Sequence, residues 1–196
     1  MLGIVCPSRF EYDALDLKIL SAEGASVVLS GMGKVRAATG CARLRQENPS
    51  LRSVLLLGFA GGLSGLAVGD AIEPRVFIEQ DYNAEPFEAF PNMLENPAPP
   101  LLEETRDALI LTQDRFLTEN PYKDSAYARR YPRIACDMES YAVAYFCREA
   151  GLRFAVLKLI SDAADATADH DFLKACKTLS PKLNRLALEA VRAFDE

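Results

Sequence analysis

The sequence predicts an α/β fold in which a mostly parallel sheet is covered by helices on both faces. Short apolar runs alternate with amphipathic stretches along nearly the whole chain, a pattern typical of strand–helix–strand units. One run, Ser53–Gly58, is apolar throughout, as expected of a strand buried on both faces. A chain of 196 residues, 49% of them hydrophobic, is long enough for one sizeable core.

Each predicted strand is a short apolar run, and Leu2–Cys6 is the first. The others are Ala25–Ser30, Ser53–Gly58, Ala71–Ile78, Ala108–Thr112, Ile134–Cys136 and Phe154–Ile160. The amphipathic stretches between them predict the helices Glu11–Leu20, Lys34–Gln46, Met138–Ala150 and Asp171–Phe194. Gly151 is a typical C-terminal stop for the third helix, and Pro181 is expected to bend the last one.

The stretch Gln80–Leu101 interrupts the alternation and predicts an irregular excursion, either a loop over a site or part of an interface. It carries prolines at positions 86, 91, 97, 99 and 100 and carboxylates at positions 81, 85, 88 and 95. Because proline has no backbone N–H to donate, such a segment fits poorly in a helix or a central strand.

The composition limits the partners and the compartment. The formal net charge of −6 argues against nucleic acid and anionic membranes, which both require clustered lysine and arginine. Five cysteines without CxxC or cysteine–histidine spacing predict free thiols and no zinc site. Neither a signal peptide nor an apolar run of about 18 residues is present, so we expect a cytoplasmic protein with a small-molecule ligand.

Glycines and carboxylates follow the predicted strands where ligands bind in open α/β sheets, beyond the carboxyl ends of the strands. Glu11 follows the first strand, Gly58–Gly62 the third, Glu139 the sixth and Asp162 the seventh. The carboxyl ends of parallel strands meet at one edge of a sheet, so we expect these residues to converge on a ligand.

Each of these features also has a structural interpretation. The segment Gly58–Gly62 fits a tight turn as well as a close approach of backbone to ligand, and it matches neither GxGxxG nor a phosphate loop. Glu11 and Glu139 stand near predicted helix starts, where the helix dipole favours a carboxylate. Asp162 is able to cap the following segment. The residues alone leave these alternatives open.

The other polar residues argue against other chemistries. The acidic run from Asp162 to Asp171 lacks the spacing, the glycine and the closing glutamate of an EF-hand. His170 is the sole histidine, so every serine–histidine or cysteine–histidine scheme would depend on one residue in an acidic turn. Carboxylates are therefore the expected catalysts, without a metal or another cofactor.

Six segments in order carry a resemblance to a known family: Gly3–Val5 leading to Glu11, Ser30–Val35 with Ala37–Ala38, Gly58–Gly62 with Val68–Asp70, Gln113–Phe116, Asp137–Ser140 and Ile160–Asp162. The chain resembles the purine nucleoside phosphorylase superfamily, and within it the 5′-methylthioadenosine/S-adenosylhomocysteine nucleosidases. The resemblance implies a single domain over residues 1–196. It also implies three layers, with helices on both faces of a mostly parallel or mixed central sheet.

The resemblance further implies cleavage of the N-glycosidic bond of a purine-type nucleoside. Asp162 would protonate N7 of the base as general acid, and Glu11 would orient and deprotonate the attacking water. Glu139 would bind the 2′- and 3′-hydroxyls of the ribose, with Met138 packed against the sugar. A carboxyl group is a useful acid near pH 7 only if burial or like charge raises its pKa.

Further residues are implied around the base. Phe116 would stack on the purine, and Leu117 would offer backbone groups to its edge. Ser161 would help to place Asp162, and Gly61 belongs to the glycine segment that borders the substrate.

Three points favour hydrolysis over phosphorolysis. A phosphorylase holds a dianion with arginine and backbone amides, and neither Arg9 nor Arg36 matches a phosphate-binding position. Phe59 stands where the family usually has serine or threonine, so its ring is expected to narrow the pocket for water or phosphate. Glu11 would also repel phosphate. A phosphorylase, a non-catalytic nucleoside-binding homologue and a flavodoxin-like signalling domain remain alternatives.

The resemblance implies a homodimer or a higher homo-oligomer in which a neighbour closes the site. Met32, Phe87 and Phe90 are candidate contact residues, with a place in the local core as their alternative. The proline-rich middle of the chain is shorter than in the family, which leaves the exact nucleoside and its 5′ group open.

Overall fold

A computed structural model describes residues 1–82 and 92–195. In that part of the chain one mixed sheet is built from β1 (Leu2–Cys6), β2 (Ala25–Leu29), β3 (Ser53–Ser64), β4 (Ala71–Ile72), β5 (Val76–Glu79), β6 (Met93–Glu95), β7 (Ala108–Thr112), β8 (Arg133–Asp137) and β9 (Arg153–Asp162). The helices are α1 (Arg9–Tyr12), α2 (Leu17–Ala22), α3 (Lys34–Glu47), α4 (Ala126–Arg130), α5 (Ser140–Glu149), α6 (Ala168–Thr178) and α7 (Ser180–Asp195). One 3₁₀ turn, Glu103–Thr105, precedes β7.

The sheet is mixed because the long strand β3 changes partners along its length. Its first part pairs in parallel with β1 and β9, and its end pairs antiparallel with β8. From β8 the sheet continues in parallel through β7 and β5 to the antiparallel edge strand β6. The register of β3 shifts on either side of Gly61 and Gly62, where Gly61 lies opposite both Cys136 and Asp162. Three strands therefore bring their side chains together at one point.

The glycine segment lies inside β3 and does not form the tight turn that was one interpretation of it. A Cβ atom on Gly58 would lie 2.7 Å from Glu11 Oε1. A Cβ atom on Gly61 would lie 3.0 Å from Asp162 Oδ1 and 3.0 Å from Cys136 Sγ. The glycines leave room for side chains from neighbouring elements to approach the strand.

The described residues form three apolar clusters, and the two largest lie as layers on opposite faces of the sheet. Val54 and Leu56 of β3 point into the layer beneath α3 and α5. Leu55 and Leu57, the alternate residues of the same strand, point into the layer covered by α7. Full burial of each leucine contributes about 1.5–3 kcal/mol. The three-layer prediction, with a mixed sheet between helices, is confirmed.

Three predicted elements are broken in the structure. The predicted helix Glu11–Leu20 consists of α1 and α2. The predicted strand Ala71–Ile78 is divided into β4 and β5 on either side of Pro74, which has no N–H for a sheet ladder. The predicted helix Asp171–Phe194 consists of α6 and α7, so Pro181 does not bend a continuous helix but lies in the first turn of α7, where its missing N–H costs nothing.

The described part of the excursion Gln80–Leu101 is partly regular. Met93–Glu95 forms the edge strand β6 against β5. Buried Glu73 accepts hydrogen bonds from the amides of Leu101 and Leu102 and so holds the proline-rich end on the sheet. Residues 83–91, which include Phe87 and Phe90, lie outside the described residues. Among residues 1–82 and 92–195, none of the helices combines the length and the hydrophobicity that a transmembrane helix requires.

Candidate active site

A cavity of about 450 Å³ opens where the ends of β3, β8 and β9 meet. The sequence-predicted site residues all line it: Glu11, Phe59, Gly61, Phe116, Leu117, Met138, Glu139, Ser161 and Asp162. The predicted convergence at one edge of the sheet is thus observed. The cavity has the size of a small-molecule site.

Glu11 is a helix-start carboxylate and also a wall of the cavity. It is the third residue of α1, and Ser8 and Glu11 form a capping box in which Glu11 Oε2 accepts the Ser8 amide at 2.6 Å. Its other oxygen, Oε1, lies 3.3 Å from the Phe59 amide and accepts its hydrogen. The side chain is 4% exposed, so the capping box holds a buried carboxylate against β3.

Glu139 stands at the N-cap of α5, near the helix start as predicted, but its side chain makes no capping hydrogen bond. Glu139 Oε1 accepts the amide of Gly33, the residue before α3, at 2.8 Å. Asp137 performs the capping, because its carboxylate accepts the Ser140 amide at 3.0 Å and the Ser140 hydroxyl at 2.6 Å. Burial raises the pKa of Glu139 to about 7, although the positive charge of Lys158 acts to lower it.

Lys158 lies between these carboxylates with no exposed surface. Its Nζ is 2.9 Å from Asp137 Oδ2 and 3.6 Å from Glu139 Oε2. Burial alone would lower the pKa of Lys158, but the charges of Asp137, Glu139 and Glu11 outweigh burial and raise it to about 12. Sequence reasoning missed this residue; a lysine inside the apolar run Phe154–Ile160 was the available signal.

Asp162 ends β9 in a fixed orientation. Ser161 Oγ donates to Asp162 Oδ2 at 2.6 Å, and the Ala164 amide donates to Oδ1 at 2.9 Å. The second contact is the local cap that the sequence allowed, and it closes a turn in which Ala164 has φ +49°. Burial raises the pKa of Asp162, although both hydrogen bonds oppose the rise. A carboxyl group in this setting is suited to donate a proton.

A wall of four phenylalanines stands beside the carboxylates. The Phe172 ring makes edge-to-face contacts with Phe10, Phe59 and Phe116, with centroids 5.8, 6.0 and 5.9 Å apart. Phe59 is buried, whereas Phe116 is 42% exposed. Phe172 was missed because its helical spacing is equally typical of a core residue. Edge-to-face geometry is the favoured arrangement of such rings.

The charges around the cavity suit a neutral ligand better than a dianion. Arg115 lines the cavity, but the side chain of Arg9 points to Asp13 and that of Arg36 to the Met32 carbonyl. Within residues 1–82 and 92–195, no three histidine, cysteine or acidic side chains are grouped so as to hold a metal ion. The site offers carboxylates and backbone amides around an aromatic wall.

The mixed sheet, its two helical layers and the carboxylate-lined cavity define an α/β protein with a small-molecule site built on strand ends. The family model described as the phosphorylase superfamily matches residues 17–192. The chain therefore belongs to the phosphorylase superfamily. This membership excludes the flavodoxin-like alternative.

The similar proteins include two relatives that are more than 30% identical to this chain. The 5′-methylthioadenosine/S-adenosylhomocysteine nucleosidase of Baumannia cicadellinicola subsp. Homalodisca coagulata is 32% identical, over 87% of this chain and 83% of that protein. The nucleosidase of that name from Actinobacillus succinogenes is 31% identical, over 76% of this chain and 73% of that protein.

Solved structures share the fold at low identity. The S. pneumoniae 5′-methylthioadenosine/S-adenosylhomocysteine nucleosidase with a transition-state inhibitor gives a TM-score of 0.80 at 21% identity, covering 98% of this chain and 99% of that chain. A futalosine hydrolase of Helicobacter pylori gives a TM-score of 0.78 at 18% identity, covering 98% and 97%.

Proposed function

We propose that the chain is a nucleosidase that hydrolyses the N-glycosidic bond of a purine-type nucleoside of the methylthioadenosine or adenosylhomocysteine kind. The observation that carries the proposal is the meeting of three buried carboxylates, Glu11, Glu139 and Asp162, on one nucleoside-sized cavity. The names of the relatives at 31–32% identity support the same activity.

Asp162 is the general acid of the proposed reaction. Its proton passes to N7 of the purine while the electrons of the glycosidic bond move into the base, which leaves as a neutral molecule. The raised pKa of Asp162 supports this role because it keeps the group protonated at higher pH than an exposed aspartate. Ser161 holds the carboxyl in place at 2.6 Å.

Glu11 is the base that takes a proton from the attacking water. The oxygen of that water bonds to C1′, and its proton goes to the carboxylate. The two contacts that fix Glu11, from Ser8 and from the Phe59 amide, support a preset direction of attack. The Phe59 ring packs on Phe172 at the cavity wall and restricts the space beside Glu11 to a small nucleophile.

Glu139 and Met138 hold the ribose in this proposal. Glu139 is kept in position by Gly33 and Lys158, and a carboxylate is able to accept two hydroxyl donors. Its negative charge also stabilises the positive charge that develops on the sugar as the bond breaks. The base lies between Phe116 and Gly61, with the backbone of Leu117 at its edge.

Water is favoured over phosphate by the charges on the cavity. Neither Arg9 nor Arg36 lines it, Arg115 lines it next to Phe116 on the side assigned to the base, and the Glu11 carboxylate stands where the nucleophile would enter. A phosphate dianion would need at least one paired cation there. The phosphorylase and the non-catalytic binding protein are the remaining alternatives.

The test is a panel of methylthioadenosine, adenosylhomocysteine, adenosine and inosine, each incubated with the full chain with and without phosphate. We expect release of base and free sugar at a rate that does not depend on phosphate. Formation of sugar 1-phosphate with strict phosphate dependence would establish the phosphorylase. Absence of base release from every nucleoside, with Asp162→Asn binding like the parent, would establish a non-catalytic protein.

The assembly and compartment belong to the same proposal. We propose a single domain over residues 1–196 that forms a cytoplasmic homodimer or higher homo-oligomer, with neither nucleic acid nor membrane as partner. Met32 is 54% exposed and lines the cavity, which supports a neighbour close to the site. The five buried free cysteines support a reducing compartment.

A further inference from the structure

A closed ring of contacts joins three residues that are distant in sequence, and we call it the Lys34 ring. Lys34 Nζ donates to Asp81 Oδ1 at 2.5 Å. Asp81 Oδ2 accepts the Asp114 amide at 3.0 Å, and Asp114 Oδ1 accepts the Lys34 amide at 2.8 Å. A second carboxylate, Glu79, lies 2.8 Å from Lys34 Nζ and strengthens the first link.

At the start of α3, the Lys34 ring lies next to Glu139, the carboxylate assigned to the ribose. The amides of Gly33 and Lys34 are consecutive, and they bind Glu139 Oε1 and Asp114 Oδ1 respectively, each at 2.8 Å. Free amides at a helix start are natural partners for carboxylates. Gly33 has φ +98°, and a Cβ atom there would lie 3.0 Å from Asp114 Oδ1. One turn of backbone thus fixes Glu139 and Asp114 relative to each other.

The Lys34 ring also fixes the loop that follows β7, because Asp114 lies in that loop. Asp114 lies two residues before Phe116 and three before Leu117, the residues assigned to the base in the proposed function. Phe116 is 42% exposed, so packing restrains it weakly. Gln113 is held by its amide to the Asp137 carbonyl at 3.0 Å, and Asp114 supplies the link from this loop to α3.

We propose that Asp114 is a positioning residue. Through the Lys34 ring it sets the distance between Phe116 and Leu117, which bind the base, and Glu139, which binds the ribose. This inference rests on the proposed function, because it assigns the base to Phe116 and Leu117. Asp114 itself touches no reacting atom and does not line the cavity. Loss of the Asp114 side chain removes the hydrogen bond that ties this loop to the start of α3. The carboxylates Glu11, Glu139 and Asp162 keep their own contacts.

The test compares Asp114→Ala with Asp114→Asn and with a matched control, Asp124→Ala, which removes an exposed carboxylate farther along the same connection. For Asp114→Ala we expect KM for the nucleoside to rise about tenfold with kcat within about twofold, as for loss of binding that is equal in ground and transition states. The dissociation constant for free adenine, measured by titration calorimetry, should rise by the same factor. Asp114→Asn keeps an oxygen acceptor and should recover most of both losses.

Three outcomes would overturn the inference: unchanged adenine affinity in Asp114→Ala, a fall in kcat without a change in KM, or equal losses in the alanine and asparagine variants. Adenine binding does not require turnover, so the calorimetry tests Asp114 even if the parent chain cleaves no nucleoside. Absence of base release by the parent contradicts the proposed function, whereas normal release with unaffected Asp114→Ala contradicts this inference alone. Failure of the parent to bind adenine contradicts both.

Discussion

The floor and the rim of the cavity differ in how they are held. The floor, defined as the cavity residues Glu11, Glu139 and Asp162 together with Lys158, which pairs with Glu139, is at most 4% exposed. Contacts from other segments fix Glu11, Glu139 and Lys158, and the neighbouring Ser161 and Ala164 fix Asp162. The rim, defined as Met32, Arg115, Phe116 and Leu173, includes side chains that are 42–54% exposed. A buried charge tolerates little change, whereas an exposed side chain is exchanged at small cost. The chemistry of the site should therefore depend on the floor and its selectivity on the rim.

The largest expected effect tests the floor at Asp162. Asp162→Asn keeps the shape of the side chain and one oxygen that accepts a hydrogen bond, but it replaces the other oxygen with an NH2 donor and removes the transferable proton. The value of kcat should therefore fall about 10²–10⁴-fold with adenine affinity retained. Steady-state base release and calorimetry measure the two quantities. Asp165→Asn, an exposed change three residues away, is the control and should behave like the parent. Equal activity of both variants would remove the acid role from Asp162.

The second prediction concerns the contribution of Lys158 in the floor to the free energy of unfolding. Lys158→Met leaves Asp137 and Glu139 buried without their cation, and the free energy of unfolding should fall by about 3–5 kcal/mol. Lys174→Met, at an exposed position of α6, should change it by less than about 0.5 kcal/mol. Urea unfolding measures both values. Adding Asp137→Asn to Lys158→Met should restore part of the loss; a Lys158→Met variant as stable as the parent would contradict the ion-pair account.

The residues of the floor also show which parts of the site could be predicted from the sequence alone and which could not. Glu11, Glu139 and Asp162 were predictable because each follows a predicted strand. Parallel pairing with β3 brings the ends of β1 and β9 to one edge, whereas β8 reaches the same point by running antiparallel to the end of β3. The apolar run around Lys158 marked it as a buried lysine, but its role was not predictable, since the carboxylates that balance its charge come from β8 and the segment after it. The extent of β3 was also missed, because its glycines make sense only beside the side chains of Glu11 and Asp162.

A third prediction concerns the pH dependence of the floor. Burial raises the pKa of Glu139 from 4.5 to about 7 in the folded protein, so the folded state binds this proton more tightly than the unfolded chain. The stability from this group is present below about pH 4.5 and is lost as the pH rises through about 7, by up to about 3 kcal/mol. Over the same window KM should fall, since the ionised carboxylate binds the ribose hydroxyls.

Glu139→Gln separates this contribution from the rest. Urea unfolding of the parent and the variant at about pH 5 and pH 8 should show a smaller decrease of stability in Glu139→Gln. Asp137 and Lys158 face the same carboxylate, so Glu139→Gln is compared with the parent at each pH and not across pH values alone. The same pH dependence in both proteins would show that Glu139 is ionised throughout the range.

The smallest effect tests the rim. Phe116→Ala removes a ring that is assigned to stacking on the base, and KM should rise by about fivefold or more, from a stacking contribution of about 1–3 kcal/mol. Its stability should stay within about 0.5 kcal/mol of the parent because the ring is partly exposed. Phe10→Ala is the matched control: Phe10 also contacts Phe172 and is exposed, but it does not line the cavity. Equal KM values for the two variants would remove Phe116 from the base site.

The measurement that tests the division between floor and rim most directly is kcat and KM for Asp162→Asn and Phe116→Ala on one nucleoside, side by side with the parent. We expect Asp162→Asn to lower kcat at nearly constant KM and Phe116→Ala to raise KM at nearly constant kcat. A Phe116→Ala variant that loses kcat as Asp162→Asn does, or an Asp162→Asn variant that changes KM alone, would contradict this expectation.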